Sequence, residues 1–439
     1  MESARGIAQK ILLDAEKRST YSNIALDREL SRCELSDSDK ALCSVIVLGV
    51  TERALTLDAI IDALASRPSE IEADARVLLR MGIYQLHFLD RIPDHAAVNE
   101  TVSLAPRRIR GFVNAMLRSY LRTREGGGIE SLFPKKQEDP HAYLSLKHSF
   151  PEGMCRRFCE IYGFERTDAI FERFNSAPPM TLRINTLKTS RADYSALLDE
   201  CGIEYELSDR LCDAIKVKGA AYASLPGAFE GSFFVQDEAS QACVEVLGAE
   251  SGEIIIDTCS CPGSKSFGSA VRMKNEGEIY SFDLHKSKLS LIEKGASRLG
   301  IDIIKVAERD GRGPDESLFG RADRVLCDVP CSGLGVIAKK PEIRYKDISE
   351  FARLPEIQYA ILEASANYLK AGGILVYSTC TVLPEENEEN IEKFLSAHPE
   401  FEAVDFTVLG RESEGGMLSL SPDIDGTDGF FIAKLRRKD

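Results

Sequence analysis

The sequence has no run of about 18 apolar residues, so no stretch is long enough to cross a bilayer as a helix. Its first residues, Met1-Glu2-Ser3-Ala4-Arg5, lack both an apolar core segment and a small-residue cleavage site, and a cytoplasmic protein with no membrane partner is expected. It also lacks any Cys-x-x-Cys pair: Cys155/Cys159 and Cys327/Cys331 are each four apart. With only six histidines and twelve cysteines in 439 residues, neither a disulfide framework nor a structural zinc site is expected, and no metal is assigned. A net positive charge is missing too, the formal balance being −15 at pH 7. That balance is uneven. Residues 1–125 hold 18 basic and 18 acidic side chains, so the remainder carries the whole excess of acid. Within the neutral part, Arg107 to Arg124 contains six arginines and no acid, and local positive charge of this kind suits nucleic acid despite an acidic chain.

What is present divides by pattern. Residues 3 to about 122 read as helices only: Ala4, Ile7, Ala8, Ile11, Leu12 and Ala15 keep helical spacing, as do Leu42, Val45, Ile46 and Gly49, then Val77, Leu78, Met81 and Leu86. Asp37 or Ser38 is expected to cap the second of these. Glu125-Gly126-Gly127-Gly128 ends the helical part, and a linker is expected over 126–144. A small α+β module follows over 145–235, with strands at Met180–Asn185 and Ile203–Leu207 and a helix at Arg191–Cys201. From 236 to 439 strand and helix alternate as βαβ units, which predicts a mainly parallel sheet covered by helices. Its predicted strands are Glu253–Asp257, Glu278–Asp283, Ile301–Val306, Arg324–Asp328 and Ile374–Ser378, with Phe430–Leu435 as a late antiparallel strand.

In open α/β sheets, ligands bind beyond the carboxyl ends of the strands, and here those ends carry polar groups. The first strand runs into Asp257-Thr-Cys-Ser-Cys-Pro-Gly-Ser-Lys265, a short glycine-bearing turn into a helix; it has neither phosphate-loop nor Gly-x-Gly-x-x-Gly spacing and suits a methionine carboxylate better than a pyrophosphate. Asp283, 26 residues past Asp257, is placed to accept ribose hydroxyls, and Asp310 to accept from an adenine amino group. Each acid alone reads better as a helix cap or solvated turn residue; together, at consecutive strand ends, they favour a nucleoside-type cofactor. The fourth and fifth ends are Asp328-Val329-Pro330-Cys331 and Ser378-Thr379-Cys380, two cysteines facing one crevice rather than two isolated buried thiols. A pyrimidine carbon 5 is too weak a nucleophile to take a methyl group directly. A thiolate adding at carbon 6 activates it, and a carboxylate at ring nitrogen 3 stabilises the adduct.

These segments resemble the RNA cytosine-5 methyltransferase family: Asp257 to Lys265, Asp328-x-Pro-Cys331-Ser-Gly, Ser378-Thr379-Cys380 with Pro384-Glu385-Glu386-Asn387, and Asp428-Gly-Phe-Phe431. Leu182-Arg183-Ile184-Asn185-Thr186 and Val235 to Ser240 also look like family segments. Ala97-Val98-Asn99-Glu100-Thr101-Val102 and Gly111-Phe112-Val113-Asn114 resemble the NusB fold. The resemblance implies an α/β, Rossmann-like S-adenosylmethionine-dependent methyltransferase domain, preceded by the α+β module and an all-α NusB-like RNA-binding domain. It implies 16S ribosomal RNA as substrate, with Cys380 as nucleophile, Cys331 linked to product release, and Asp328 near both cytosine and cofactor. Cys259, Ser260, Cys261, Pro262, Gly263, Ser264, Lys265, Asp283 and Asp310 match the other cofactor-contacting positions. The arginines Arg107, Arg108, Arg110, Arg118 and Arg122 are expected to line an RNA-docking face, and the chain is expected to act as a monomer.

The chain departs from the family in reading Cys-Ser-Cys-Pro-Gly-Ser-Lys for Cys-Ala-Ala-Pro-Gly-Gly-Lys, and Asp-Val-Pro-Cys for Asp-Ala-Pro-Cys. Ser264 in a glycine's place disfavours positive φ and is expected to alter the cofactor loop and lower its affinity. Two other readings stay open: a non-enzymatic RNA-binding assembly factor, which needs no thiol pair, and a methyltransferase acting on transfer RNA or on another target. An adenine-amino or protein-glutamine enzyme wants an Asn/Asp-Pro-Pro-Tyr pocket instead.

Overall fold

The computed structural model describes residues 3–18, 26 and 28–439, so Met1 and Glu2 of the N-terminal stretch lie outside the described residues. The chain forms two compact units, Met1–Ser176 with Ile337–Ile348, and Ala177–Val336 with Ser349–Asp439.

Among the described residues the first unit is helical: α1 (Ala4–Arg18), α2 (Asp37–Glu52), α3 (Ala54–Leu64), α4 (Ala73–Phe88), α5 (Asp94–Leu104), α6 (Arg107–Glu125), α7 (Pro140–His148), α8 (Glu152–Tyr162) and α9 (Phe164–Phe174). Ser36, not Asp37 or Ser38, caps α2: its backbone is extended and its side chain accepts from the Asp39 N–H, which leaves the two expected residues inside the first turn. Helix α4 is buried on nearly every side from Ala75 to Leu86, and Gly82 lets Leu117 of α6 approach so closely that a Cβ there would lie 2.6 Å from it. The expected linker ends in structure, because Asp139 accepts from Ala142 N–H and Pro140 opens α7 with its fixed φ. Helices α7 to α9 belong with this unit, whereas the strands of the expected α+β module belong to the other. The segment Ile337–Ile348, which interrupts the second unit in sequence, is also part of this helical body. Its Arg344 is fully buried, stacks 4.4 Å over the Phe150 ring, and donates to Glu52 O, His148 O and Asn175 Oδ1.

The second unit opens with a four-stranded antiparallel sheet, β1 (Met180–Ile184), β2 (Tyr205–Leu207), β3 (Ala214–Val217) and β4 (Phe233–Val235), in the order β2-β3-β1-β4, with α10 (Arg191–Glu200) between its first two strands in sequence. A larger sheet holds β5 (Ile254–Asp257), β6 (Glu278–Asp283), β7 (Ile304–Glu308), β8 (Ala322–Asp328), β9 (Leu369–Thr379) and β10 (Phe401–Ala403). After a small hairpin of β11 (Thr407–Val408) and β12 (Arg411–Glu412), β13 (Met417–Leu420) and β14 (Phe430–Arg437) complete it. The order is β10-β14-β9-β8-β5-β6-β7, with β13 on β14; β5 to β9 pair in parallel, and β14 joins β9 antiparallel. The sheet is therefore mixed. Helices α11 (Glu238–Leu247), α12 (Ser264–Arg272), α13 (Lys286–Leu299), α14 (Leu354–Ala366) and α15 (Glu388–Ala397) connect the strands. Strand β7 begins three residues later than expected, because Ile301 is consumed by the end of α13: Gly300 takes φ +73° and the Ile301 N–H bonds back to Ala296 O. The parallel order reverses at β5, which lies between β6 and β8, and a crevice at the carboxyl ends of these strands is the place for a ligand.

Candidate active site

Each candidate catalytic or cofactor residue sits at or beyond the carboxyl end of a strand of this parallel set. β5 delivers Asp257, which is 1% exposed; its Oδ2 accepts from Ser266 Oγ at 2.6 Å, and its Oδ1 has no partner among the described residues. Burial pushes the Asp257 carboxyl up to about 7. The turn that follows is tied down rather than loose. The Ser260 N–H and Oγ both donate to Phe282 O, the Gly263 N–H donates to Ser260 O, and the Cys261–Pro262 peptide is cis. Gly263 alone carries the left-handed backbone, φ +109°, and a Cβ there would lie 2.5 Å from the Phe267 ring. Ser264 is the first residue of α12, outside the positive-φ set, so the expected distortion at that position does not arise: the strained position is one residue earlier, and it is a glycine.

Asp283 closes β6 with Oδ1 accepting from the His285 N–H at 2.9 Å and Oδ2 from the Cys261 N–H at 3.3 Å, so it faces the same turn. Asp310, two residues beyond β7, is exposed and takes both the backbone N–H and the guanidinium of Arg312, which holds its carboxyl below the usual range. Burial raises the thiols of Cys259 and Cys261.

Asp328, the last residue of β8, is held from two sides. Lys265 Nζ donates to its Oδ2 at 2.6 Å, and Ser378 Oγ of β9 to its Oδ1 at 2.8 Å. Burial opposes the Lys265 charge, but Asp328 beside it outweighs that and keeps the ammonium above its ordinary range; the same ammonium lies 5.1 Å over the Phe430 ring. Beyond Asp328, the Cys331 sulfur is 3.2 Å from that of Cys380, which follows β9. The Cys380 sulfur beside it, together with burial, holds the Cys331 thiol well above its ordinary range. Three chain segments meet under these sulfurs: Gly335 N–H donates to Cys380 O, and Gly429 N–H donates to Gly335 O. A Cβ on Gly335 would lie 1.8 Å from Gly429 O, so only glycine permits the crossing. Cys331, Cys380, Asp328 and Lys265 thus converge, with the Cys259–Gly263 turn and Asp283 at adjoining strand ends.

Ser378 and Glu386 lie in the quoted family segments but were given no role from sequence; their roles come from the contact of Ser378 with Asp328 and from the burial of Glu386 with its bond to the Ser332 N–H. In the helical unit, all five expected arginines are exposed on α6. Arg108 pairs with Glu72 and Asp74, and Arg110 donates to Ala105 O. Arg107, Arg118 and Arg122 have no side-chain partner among the described residues. Among those residues there is also no helix long and apolar enough to cross a membrane.

Comparison with known proteins gives three family matches along the chain. The model described as 16S rRNA methyltransferase RsmB/F matches residues 244–436, that of the NusB family residues 2–122, and that of the RsmF/B-like ferredoxin-like domain residues 150–223. Over 99% of both chains, the sequence is 37% identical to a Bacillus subtilis protein named probable ribosomal RNA small subunit methyltransferase B. The crystal structure of PH0851 superposes with a TM-score of 0.79 at 27% identity, covering 99% of each chain. The structure of NSun6 from Pyrococcus horikoshii with SFG shares the fold at 22% identity and a TM-score of 0.60, covering 66% of this chain and 99% of that one.

Proposed function

Since the chain belongs to the 16S rRNA methyltransferase RsmB/F family and S-adenosylmethionine is its cofactor, we propose that it methylates carbon 5 of one cytosine in 16S ribosomal RNA through a covalent bond to Cys380. The observation that carries this reading is the 3.2 Å pairing of the Cys331 and Cys380 sulfurs beside the Lys265–Asp328 pair. A scaffold protein has no use for such an arrangement.

The residues present fit the cofactor. A buried Asp257 oxygen without a partner, the Gly263 turn whose cradle a side chain would fill, and Asp283 beside that turn make a donor and acceptor set for an amino acid joined to a ribose. Cys259 to Lys265 would take the amino-acid end, Asp283 the ribose hydroxyls, and Asp310, once shared with Arg312, the adenine amino group. When bound, S-adenosylmethionine supplies an electrophilic methyl group. Everything else falls to the chain.

Cys380 Sγ adds its electron pair to carbon 6, which makes carbon 5 nucleophilic. Asp328, fixed by Lys265 and Ser378, takes the proton that the Cys380 thiol loses and delivers it to ring nitrogen 3, so the charge that develops there is neutralised by general acid action. After methylation the carbon-5 proton leaves to a base, the sulfur–carbon bond breaks, and its pair returns to Cys380. Cys331, in contact with that sulfur, assists the release. The helical unit docks the RNA with the α6 arginines and residues 236–439 catalyse, in the cytoplasm and as a monomer. Mapping 5-methylcytosine in 16S ribosomal RNA from cells with and without the gene tests the reading; an unchanged map sinks it.

A further inference from the structure

Glu386 is fully buried in the short turn Pro384–Glu386, and its carboxylate has no cationic partner among the described residues. Its Oε2 accepts from the Ser332 N–H at 3.0 Å and from Gln358 Nε2 at 2.7 Å, and its Oε1 accepts from Thr381 Oγ1 at 3.2 Å. Ser332 directly follows Cys331, and Thr381 directly follows Cys380. The two hydroxyls, Ser332 Oγ and Thr381 Oγ1, are themselves 2.6 Å apart. Gln358 on α14 also donates to Pro330 O, on the other side of Cys331, and is held in turn by Asn390. The turn itself is anchored where Tyr377 OH donates to Glu386 O at 2.6 Å. A carboxylate buried without a cation costs stability unless neutral donors satisfy it, and here the donors come from both cysteine loops.

Resting on the covalent reading above, we propose that Glu386 is a positioning residue: its carboxylate clamps the Cys331 and Cys380 loops together and sets the distance between the two sulfurs. It touches no reacting atom. It acts through Ser332 and Thr381, and a displacement of about 1 Å at a reacting group is enough to cost on the order of 100-fold in rate.

The test compares Glu386→Ala, Glu386→Gln and Thr381→Val in the full-length chain, with three readouts. The first is single-turnover methyl transfer to 16S ribosomal RNA. The second is formation of a Cys331–Cys380 disulfide under diamide, followed by peptide mass mapping. In that reaction the thiol pair loses two protons and two electrons as the S–S bond forms, and the diamide N=N bond is reduced to a hydrazine. The third is affinity for S-adenosylhomocysteine, which reports an intact cofactor loop. Glu386→Ala is expected to slow methyl transfer on the order of 100-fold and to slow disulfide formation, with S-adenosylhomocysteine binding unchanged. Glu386→Gln should recover both rates, because its amide oxygen can keep the two Oε2 contacts while its NH2 donates to Thr381 Oγ1. Disulfide formation at the wild-type rate in Glu386→Ala overturns the proposal, as does Glu386→Gln proving as slow as Glu386→Ala. If Glu386→Ala does not fold, Thr381→Val, which removes the Oε1 contact together with the hydroxyl pair to Ser332 Oγ and leaves both Oε2 contacts, decides: it should be slower than wild type, and equality overturns the clamp. Should Cys380→Ala methylate normally, the covalent reading fails, and the disulfide rates still decide whether Glu386 sets the spacing.

Discussion

Lys265 Nζ lies 2.6 Å from Asp328 Oδ2, so one ion pair joins the first turn of α12 to the end of β8. The lysine is 8% exposed, and Asp328 is more open toward the crevice. Removing one member of a buried pair leaves its partner's charge uncompensated, which costs on the order of 3 kcal/mol. Lys265→Met should therefore lower stability by about that amount, and adding Asp328→Asn should restore much of it. Urea unfolding of the two single variants and the double variant gives the coupling. Strictly additive effects would show that the pair is not energetically real.

The two cysteines should part company in a trapping experiment. Cys380→Ala removes the group that adds to carbon 6 and should give neither turnover nor a covalent RNA complex. Cys331→Ala should still add and methylate, then stall before release, giving a slow-migrating protein–RNA band on a denaturing gel with substrate RNA and S-adenosylmethionine. The reverse pattern exchanges the roles. No band in either variant, with near-normal methylation, returns both residues to the class of buried thiols.

Asp283 accepts from two backbone N–H groups of its own turn, yet it stands at the strand end where ribose hydroxyls are met. Asp283→Ala should weaken S-adenosylmethionine binding by roughly 1.5–3 kcal/mol for each charge-assisted hydrogen bond removed. Asp310→Ala should cost less, since that carboxylate is exposed and already occupied by Arg312. Calorimetric titration ranks the two. An unchanged dissociation constant for Asp283→Ala makes it a turn residue and nothing more.

Burial raises the Asp257 carboxyl from 3.8 to about 7, so between those values the folded chain binds more protons than the unfolded one. Stability from this site is therefore lost as pH rises from about 4 to about 7 and is flat above, with a ceiling of roughly 4 kcal/mol. Asp257→Asn can still accept from Ser266 and carries no charge. Without cofactor, its stability advantage over the wild type should grow from pH 5 to pH 8. Denaturant unfolding at both pH values checks this, and parallel pH profiles would show that Asp257 is not the titrating group.

The parallel strands were legible because each is a short apolar run that stops at a polar residue; the expected Glu278–Asp283 coincides with β6. Strands β3 and β4, of four and three residues, carry too short an alternation to be seen against their flanks. The membership of Ile337–Ile348 in the helical unit was out of reach for another reason: Arg344 bonds to Glu52 O across 292 residues, and such a contact leaves no local period. The same division holds in the site. Cys331, Cys380 and Asp328 announce themselves at strand ends, where a thiol or carboxylate needs a reason to be. Glu386 belongs to the quoted Pro384-Glu385-Glu386-Asn387 segment, but nothing in that acidic stretch says which of its carboxylates is buried.

Helix α6 supplies the last prediction. Its apolar stripe, Ile109, Val113, Met116, Leu117 and Tyr120, is buried, which turns Arg107, Arg118 and Arg122 outward onto one exposed face. Arg108 and Arg110 are exposed too, but their guanidinium groups are engaged by Glu72, Asp74 and Ala105 O. An arginine that neutralises a phosphate releases a counterion, so deleting one such arginine should flatten the slope of log affinity against log salt by about 1. Changing Arg107, Arg118 and Arg122 together to alanine should then flatten the slope for 16S ribosomal RNA by about 3, if each meets one phosphate. Arg108→Ala should flatten it less, because its guanidinium must first leave two carboxylates, and its substitution frees them to repel the RNA. Filter binding across a salt series measures both. A triple variant with the wild-type slope would mean that this face is solvated charge and that the RNA docks elsewhere.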